Sequence, residues 1–148
     1  MTPKIVRLVE VSDQEEEVLI PPGTYNFKLL NHETKVCFQT KRLILMLSIC
    51  TLGEHFEKRL KRYYNIQDFI GKRGKKGRFY PKPRGDFLLD YYKLFPGRIS
   101  RLDRVPMEPM YRNILIGRVA TVTKNNQGKS LPVEMQYSKV AELIGVEK

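Results

Sequence analysis

The residue types best suited to chemistry in this sequence are cations and aromatic rings, and they are concentrated in one third of the chain. From residue 58 to residue 104 there are 15 Lys or Arg and 4 Asp, a net charge of +11, whereas the remaining residues carry 12 basic and 12 acidic side chains. Tyr63, Tyr64, Phe79 and Tyr80 lie among these cations. Cations neutralise phosphates, and flat rings stack on unpaired bases. The pattern therefore predicts that this segment binds nucleic acid.

Two adjacent stretches are expected to make the contacts. In the predicted strand 58–66, Arg59, Lys61 and Tyr63 fall on one parity, which puts two cations and a ring on the solvent face. The next segment, 71–85, holds four Gly, two Pro and seven Lys or Arg, so we expect an irregular loop that wraps a phosphate backbone. The residues predicted to bind nucleic acid are Arg42, Lys58, Arg59, Lys61, Arg62, Tyr63, Lys72, Arg73, Lys75, Lys76, Arg78, Phe79, Tyr80, Lys82 and Arg84.

Groups that would indicate nucleophilic or nucleotide chemistry do not form a recognisable cluster in the sequence. His32 and His55 lie in turn-like segments without a nearby Ser or Cys in a nucleophile setting. Segment 71–77 is rich in Gly and Lys but lacks the spacing of a nucleotide-binding phosphate loop. Nucleotide hydrolysis is therefore not expected.

Metal chemistry is also not expected. A metal-dependent nuclease would have to gather Asp86, Asp90 and Asp103, but Asp90 lies four residues after Asp86 on a helix whose other face should pack. Cys37 and Cys50, with only two His in the chain, show no repeated spacing of the kind that holds structural zinc. The sequence predicts a non-catalytic protein with no metal and no cofactor.

Length and composition predict one cytoplasmic domain. A chain of 148 residues with 41 % hydrophobic residues can bury one substantial core. No apolar run reaches the roughly 18 residues that span a bilayer, and residues 1–10 do not resemble a secretion signal. We divide the chain into an acidic leader, 1–20, and a domain, 21–148. The acidic run 10–17 is either a solvated leader or a competitor for the basic surface.

Alternation of apolar residues predicts three strands in the first half of the chain. The first covers 24–30, with a turn or bulge at 31–35 and an extension at 36–38. The second covers 43–51, with Leu43, Leu45, Leu47 and Ile49 on one face. The third is 58–66, in which Arg62 lies on the apolar parity and would need a bulge or an edge position.

The second half is predicted to begin with a helix, 86–95. Asp86 would cap it, and its apolar stripe indicates a packing role, so Tyr91 and Tyr92 are expected to pack rather than stack. A strand with a bulge or sharp bend at Gly117 should follow. We place that strand at 113–123, a turn at 125–128, a returning strand at 131–137 and a short C-terminal helix at 138–144.

This order of elements resembles the OB-fold. The resemblance is carried by segments 23–27, 43–51, 58–66 and 116–123. It implies a mainly β, five-stranded Greek-key barrel with a helix between strands three and four and a short C-terminal helix. OB-folds bind oligonucleotides across strands two and three and the adjoining loops.

Within that fold, the Leu-rich second strand, the Lys-Arg-Tyr-Tyr-Asn third strand and the basic loop resemble single-stranded DNA-binding proteins of phages and mobile elements. The resemblance implies single-stranded DNA binding with little sequence preference, in DNA replication or recombination. Many such proteins recruit partners through an acidic C-terminal tail, whereas this sequence ends Leu-Ile-Gly-Val-Glu-Lys. The run 10–17 would then contact replication or recombination proteins, and an exposed edge strand at 131–137 would mediate pairing into a homo-oligomer.

Three other partners fit the same composition. RNA, bound as in OB-fold proteins of ribosomal or translation type, would use the same rings and cations. Duplex DNA would be favoured if the basic loop entered a groove and the rings were buried. An acidic protein surface is the remaining partner that a cationic face suits.

Overall fold

The computed structural model describes residues 18–125 and 127–147, so the acidic run 10–17 and the predicted leader up to residue 17 lie outside the described residues. With 49 % strand and 13 % helix, the chain is mainly β, as predicted. The strands are β1 (Gly23–Cys37), β2 (Thr40–Ile49), β3 (Arg59–Ile70), β4 (Gly74–Lys75), β5 (Arg78–Pro81), β6 (Leu115–Val122) and β7 (Tyr137–Val146). The helices are α1 (Asp86–Leu94), α2 (Glu108–Arg112) and a 3₁₀ turn (Val133–Met135).

All neighbouring strands are antiparallel, in the order β5-β3-β2-β1-β6-β7, and β4 pairs with β1. The long strand β1 is central because it pairs with β6 along its first third and with β2 along most of its length. β3 and β7 contact each other, but among the described residues no hydrogen-bonded ladder joins them. The sheet is therefore open rather than a closed barrel.

A bulge in β1 decides which of its side chains are buried. The register with β2 shifts between Leu29 and Asn31, where the sequence indicated a turn or bulge, and β1 then continues without a turn. Phe27 and Leu29 point into the core before the shift, and His32 and Thr34 do so after it. Two polar side chains are thereby placed inside by backbone geometry rather than by hydrophobicity.

The core confirms the predicted apolar faces of β2 and α1. Leu43, Leu45, Leu47 and Ile49 are all buried, and so is the helical stripe of Phe87, Leu88, Tyr91, Leu94 and Phe95. The ring of Phe87 meets those of Tyr64 and Phe79 edge-on, with ring centroids 5.2 Å apart in both pairs. Helix α1 thus packs against β3 and β5, the strands that carry the basic segment.

Two local predictions in the basic segment are wrong. Asp86 is the first residue of α1 and not its cap; Gly85 occupies the cap position, and no side chain makes a capping hydrogen bond. The segment 71–85 is not wholly irregular, because β4 and β5 form within it. The Thr34 hydroxyl accepts a hydrogen bond from the Gly74 amide (3.1 Å), and a Cβ at Gly77 would collide with that hydroxyl. The loop is therefore tied to β1.

The C-terminal predictions are also wrong. Residues 131–137 do not form the returning strand, and 138–144 are not helical, since β7 covers both Ser138 and Ile144. The Ser138 hydroxyl accepts from the Ile20 amide (2.8 Å) and donates to its carbonyl (3.2 Å). A short segment of mixed propensity has taken the conformation that completes the ladder with β6, because tertiary pairing outweighs local preference. The proposed edge strand 131–137 is lost with it.

The bulge or sharp bend predicted at Gly117 is found as a bulge. The register between β6 and β7 shifts on both sides of it, between Ile116 and Gly117 and between Arg118 and Val119. A Cβ at Gly117 would lie 3.0 Å from the ring of Phe27. Glycine is needed here because β6 passes directly over a core aromatic ring.

In residues 18–125 and 127–147, no helix has the length and apolar character needed to cross a membrane.

Candidate nucleic-acid interface

The outer face of β2 and β3 carries the cations and the ring that parity predicted. The register pairs Ile44 with Tyr63, Met46 with Lys61 and Ser48 with Arg59. Side chains opposite each other across an antiparallel pair lie on the same face, so Arg59, Lys61 and Tyr63 project from it together. Leu60, Tyr64 and Ile66 on the other parity are buried, as expected.

Arg42 extends this face at the far end of β2. Its guanidinium carbon lies 5.8 Å from the centroid of the Tyr63 ring, and its register partner is Asn65. The Nε atom of Arg42 is buried and has no hydrogen-bond partner. A buried N–H without an acceptor costs on the order of 1–3 kcal/mol, which an incoming phosphate or base oxygen would offset. Arg42 thus offers an unused hydrogen-bond donor beside the Tyr63 ring.

A groove continues the face toward two hairpin connections. Its volume is about 860 Å³, and its walls come from the β1–β2 hairpin and from the connection between β6 and β7. Phe38 at the hairpin tip is 80 % exposed, and Met135 opposite it is 62 % exposed. A space of this size, edged by exposed apolar side chains, suits unpaired bases. Its cationic lining is Lys35, Arg42, Lys124 and Lys139, together with Arg62, whose charge is paired with Asp90.

Sequence reasoning missed most of this groove. Lys35, Phe38, Lys124, Met135 and Lys139 were not among the predicted site residues, because they come from chain segments far apart in sequence. Phe38 carried one readable signal. It lies in a two-residue turn at φ +50°, followed by Gln39 at φ +64°, where Asn and Gly are usual. A bulky ring is unusual at such a position, and this is the feature that could have identified Phe38.

The cations of the basic loop form a second exposed surface. Lys72, Arg73, Lys75, Lys76 and Arg78 border a shallow depression of about 480 Å³. None of the five makes an ion pair with a carboxylate in the described part of the chain. The Phe69 ring links this surface to the sheet, because Arg73 and Lys41 lie 6.0 and 5.7 Å from its centroid.

The remaining predicted residues flank these surfaces. Tyr80 is 41 % exposed on β5. Lys82 and Arg84 are exposed in the turn before α1. Lys58 is half-buried, with its Nζ 3.2 Å from His55 Nδ1. All four lie within reach of solvent, but only the residues on the sheet face and in the loop surround a concave space.

Two predicted site residues belong to the interior. Arg62 is only 8 % exposed, and its Nε and terminal nitrogen donate to Asp90 Oδ2 at 3.3 and 3.2 Å. Its guanidinium carbon lies 4.3 Å from the centroid of the Tyr64 ring. Phe79 is 5 % exposed and packs against Phe87. Arg62 needed no bulge because a buried carboxylate from α1 neutralises it, and Phe79 is excluded as a stacking platform.

Asp90 joins three elements of the fold. Besides Arg62, its Oδ2 accepts hydrogen bonds from the Tyr64 hydroxyl (2.7 Å) and the Leu143 amide (3.1 Å). Burial, followed by the charge of Asp90, raises the pKa of Tyr64 well above its ordinary value. The role of Asp90 is thus to hold α1 against β3 and β7. In residues 18–125 and 127–147, no three His, Cys, Asp or Glu are grouped so that they could hold a metal ion.

The chain was compared with protein-family models, with curated proteins and with solved structures. No family model matches, and neither a curated protein nor a solved structure matches.

Proposed function

We propose that the chain has an OB-type fold and binds single-stranded DNA with little sequence preference. The fold proposal is supported by the path β3-β2-β1-β6-β7, which has the order of a five-stranded Greek-key barrel. Helix α1 lies between β3 and β6 in sequence, and β3 faces β7 across the remaining gap. The bulged central strand β1 supplies the strong bend that such barrels need.

The binding proposal rests on one observation, the cationic and aromatic outer face of β2 and β3. Arg59 and Lys61 lie there without a carboxylate ion-pair partner among the described residues, and Arg42 lies beside Tyr63 with an unsatisfied Nε–H. Cations of this kind neutralise phosphates, and the ring accepts a base by stacking. OB-folds bind oligonucleotides on this same pair of strands.

A single strand suits the surface better than a duplex. The groove of about 860 Å³ beside Tyr63 is bordered by exposed apolar side chains, and a duplex keeps the flat faces of its bases stacked on one another, out of reach of these side chains. Bases of any identity have a flat face for stacking, so sequence preference should be weak. By the resemblance stated above, the function would be the protection of single strands during replication or recombination of a phage or mobile element in the cytoplasm.

The test is fluorescence anisotropy with a labelled thymidine oligomer, a matched RNA and a matched duplex, each at two salt concentrations. The variants are Tyr63→Ala and a loop variant with Lys72, Arg73, Lys75, Lys76 and Arg78 changed to Ala. Arg118→Ala is the matched control, because it removes a cation that is already paired with Glu142. We expect single-stranded DNA to bind tightest and both variants to weaken it, while the control does not.

Salt dependence provides a second criterion. About six phosphate contacts would reduce affinity roughly a thousandfold between 50 and 200 mM salt, and the loop variant should flatten that dependence. If RNA binds more tightly than single-stranded DNA, the proposed function becomes that of an RNA-binding OB-fold protein. Absence of binding to all three would refute a nucleic-acid function and leave an acidic protein surface as the partner.

A further inference from the structure

A second concave site lies on the opposite side of β1 from the Arg42–Tyr63 face. His32 is an inward-facing residue of β1, whereas its neighbours Asn31 and Glu33 pair with Met46 and Ile44 on the outer face. His32 is 7 % exposed and lines a cavity of about 230 Å³. We name this cavity the His32 pocket; its other walls include Lys76, Arg78, Asp103 and Arg104.

The His32 pocket carries an excess of positive charge. Lys76, Arg78 and Arg104 border it, and none of them forms an ion pair with a carboxylate within residues 18–125 and 127–147. Its one carboxylate, Asp103, is occupied by Arg101, whose Nε and terminal nitrogen approach it at 2.9 and 2.6 Å. Three cations thus border a space in which the one carboxylate among the described lining residues is already paired.

The buried imidazole is held in a fixed orientation. Its Nδ1 is hydrogen-bonded to the Tyr111 hydroxyl, whereas Nε2 makes no hydrogen bond among the described residues. When the Tyr111 hydroxyl donates to Nδ1, Nε2 carries the proton and is a donor. Lys76 lies beside this imidazole. Its backbone amide donates a hydrogen bond to the His32 carbonyl (2.7 Å), and its Nζ lies 5.6 Å from the Tyr111 ring centroid.

The backbone around Lys76 is arranged at a conformational cost. Lys76 has φ +54°, in the left-handed region that a side chain with a Cβ seldom adopts. The turn is kept in place by the contacts of Gly74 and Gly77 with Thr34. Strain of this kind at a charged residue beside a pocket is typical of functional sites.

From these contacts we propose that the His32 pocket binds a phosphate monoester group. Lys76, Arg78 and Arg104 supply charge-assisted donors to a tetrahedral dianion, and His32 Nε2 supplies a neutral one. The volume exceeds that of phosphate alone and leaves room for part of an attached sugar. The group would come from a free phosphate compound or from the phosphorylated end of a strand; only the latter source depends on the proposed function.

The imidazole itself reports occupancy. Burial, and secondarily the charge of Lys76, lowers the pKa of His32 below its ordinary value. A bound dianion would raise that pKa, because it stabilises the protonated ring. The other charged or titratable groups facing the ring are Tyr111 on α2, Arg78 on β5, and Asp103 and Arg104 in the segment before α2.

The experiment is a proton NMR titration of the full chain with sodium phosphate, against sodium chloride at matched ionic strength. A His55→Gln background leaves one imidazole to observe, since the chain has two His. We expect a saturable shift of the His32 Cε1–H resonance with phosphate and none with chloride. Arg104→Gln, an exposed position, should weaken phosphate about tenfold by loss of one charge-assisted contact, and Arg118→Gln should not. An unsaturable shift, or one equal in chloride, overturns the proposal.

A second arm distinguishes the source of the phosphate. Thymidine oligomers with a 5′-phosphate, a 3′-phosphate or hydroxyl ends are compared by anisotropy, with Arg104→Gln beside the parent. Preference for one phosphorylated end that Arg104→Gln abolishes supports a strand-end pocket, and equal binding with a positive NMR titration supports free phosphate compounds. Failure of every oligomer to bind would refute the proposed strand binding alone. Failure of the phosphate titration would refute only the pocket.

Discussion

Tyr63 and Tyr64 are adjacent in β3, and each lies beside an arginine, yet the two pairs have opposite surroundings. Arg62 and Tyr64 are buried at 8 % and 1 % exposure, and both donate to Asp90. Arg42 and Tyr63 lie on the outer face, where the Arg42 Nε has no acceptor. The buried arginine has a carboxylate acceptor, whereas the Nε of the arginine on the outer face has none among the described residues. The first pair stabilises the fold, and under our proposal the second pair binds the strand.

The largest expected effect comes from breaking the buried pair. Asp90→Ala should lower the free energy of unfolding by about 3–5 kcal/mol, because it leaves the Arg62 charge buried without a partner. Tyr64→Phe removes one hydrogen bond and should cost about 1 kcal/mol. Urea denaturation measures both. If Asp90→Ala unfolds at the same urea concentration as the parent, the network does not hold α1 in place.

The next effect comes from the exposed pair. Tyr63→Ala should weaken binding of a thymidine oligomer by about 1–3 kcal/mol, roughly 5- to 150-fold, through loss of one stacked base. Tyr92→Ala is the control, because it removes an exposed ring from the outside of α1. Anisotropy measures affinity, and urea denaturation checks that the variant is folded. Equal losses of affinity for Tyr63→Ala and Tyr92→Ala would show that the ring on the outer face of β3 contributes no more to binding than an exposed ring elsewhere.

A smaller effect is expected when the cations of the outer face, rather than its ring, are removed. Changing Arg59 and Lys61 together to Gln should flatten the plot of log affinity against log salt by about 1.4, since each phosphate contact to a single strand contributes about 0.7. Arg118→Gln, which removes a cation paired with Glu142, should leave the slope as it is. An unchanged slope in the double variant would place the strand elsewhere on the surface.

The smallest expected effect is the loss of the stability that Tyr64 contributes, and it appears only at alkaline pH. The pKa of Tyr64 is raised in the folded chain by burial and then by Asp90, so its hydroxyl stays protonated above the ordinary value of about 10, at which the unfolded chain ionises. The stability that Tyr64 contributes is therefore present below pH 10 and lost above it. The difference in unfolding free energy between the parent and Tyr64→Phe should shrink from pH 8 to pH 11. A constant difference would contradict the burial of this hydroxyl.

Periodicity was a reliable guide wherever one face is buried. The alternation in 43–51 correctly indicated the core side of β2, and the parity of Arg59, Lys61 and Tyr63 correctly placed them outside. The stripe of α1 was correct for the same reason, whereas the prediction that Tyr92 also packs was wrong, since its side chain is 45 % exposed. Burial imposes a period on the sequence, and a period can be read without knowing what covers the face.

Predictions from local sequence preference were wrong where contacts between distant segments determine the structure. Ser138 was interpreted as a helix cap, yet it lies in β7 and holds Ile20, which is 118 residues away. Phe79 was interpreted as a stacking ring among cations, yet α1 covers it. Neither partner can be recognised from neighbouring residues, because each contact joins segments far apart in the chain.

By itself, the sequence determined the β class, the core faces of β2 and α1, the bend at Gly117 and the concentration of positive charge between residues 58 and 104. These properties depend on composition, period and backbone freedom, which are local. Only the tertiary structure decided that Arg62 is neutralised inside, that the groove has walls from two distant hairpins, and that His32 faces Lys76, Arg78 and Arg104. The charge of a residue is known from the sequence, whereas its partner is determined by the packing of segments that are distant in sequence.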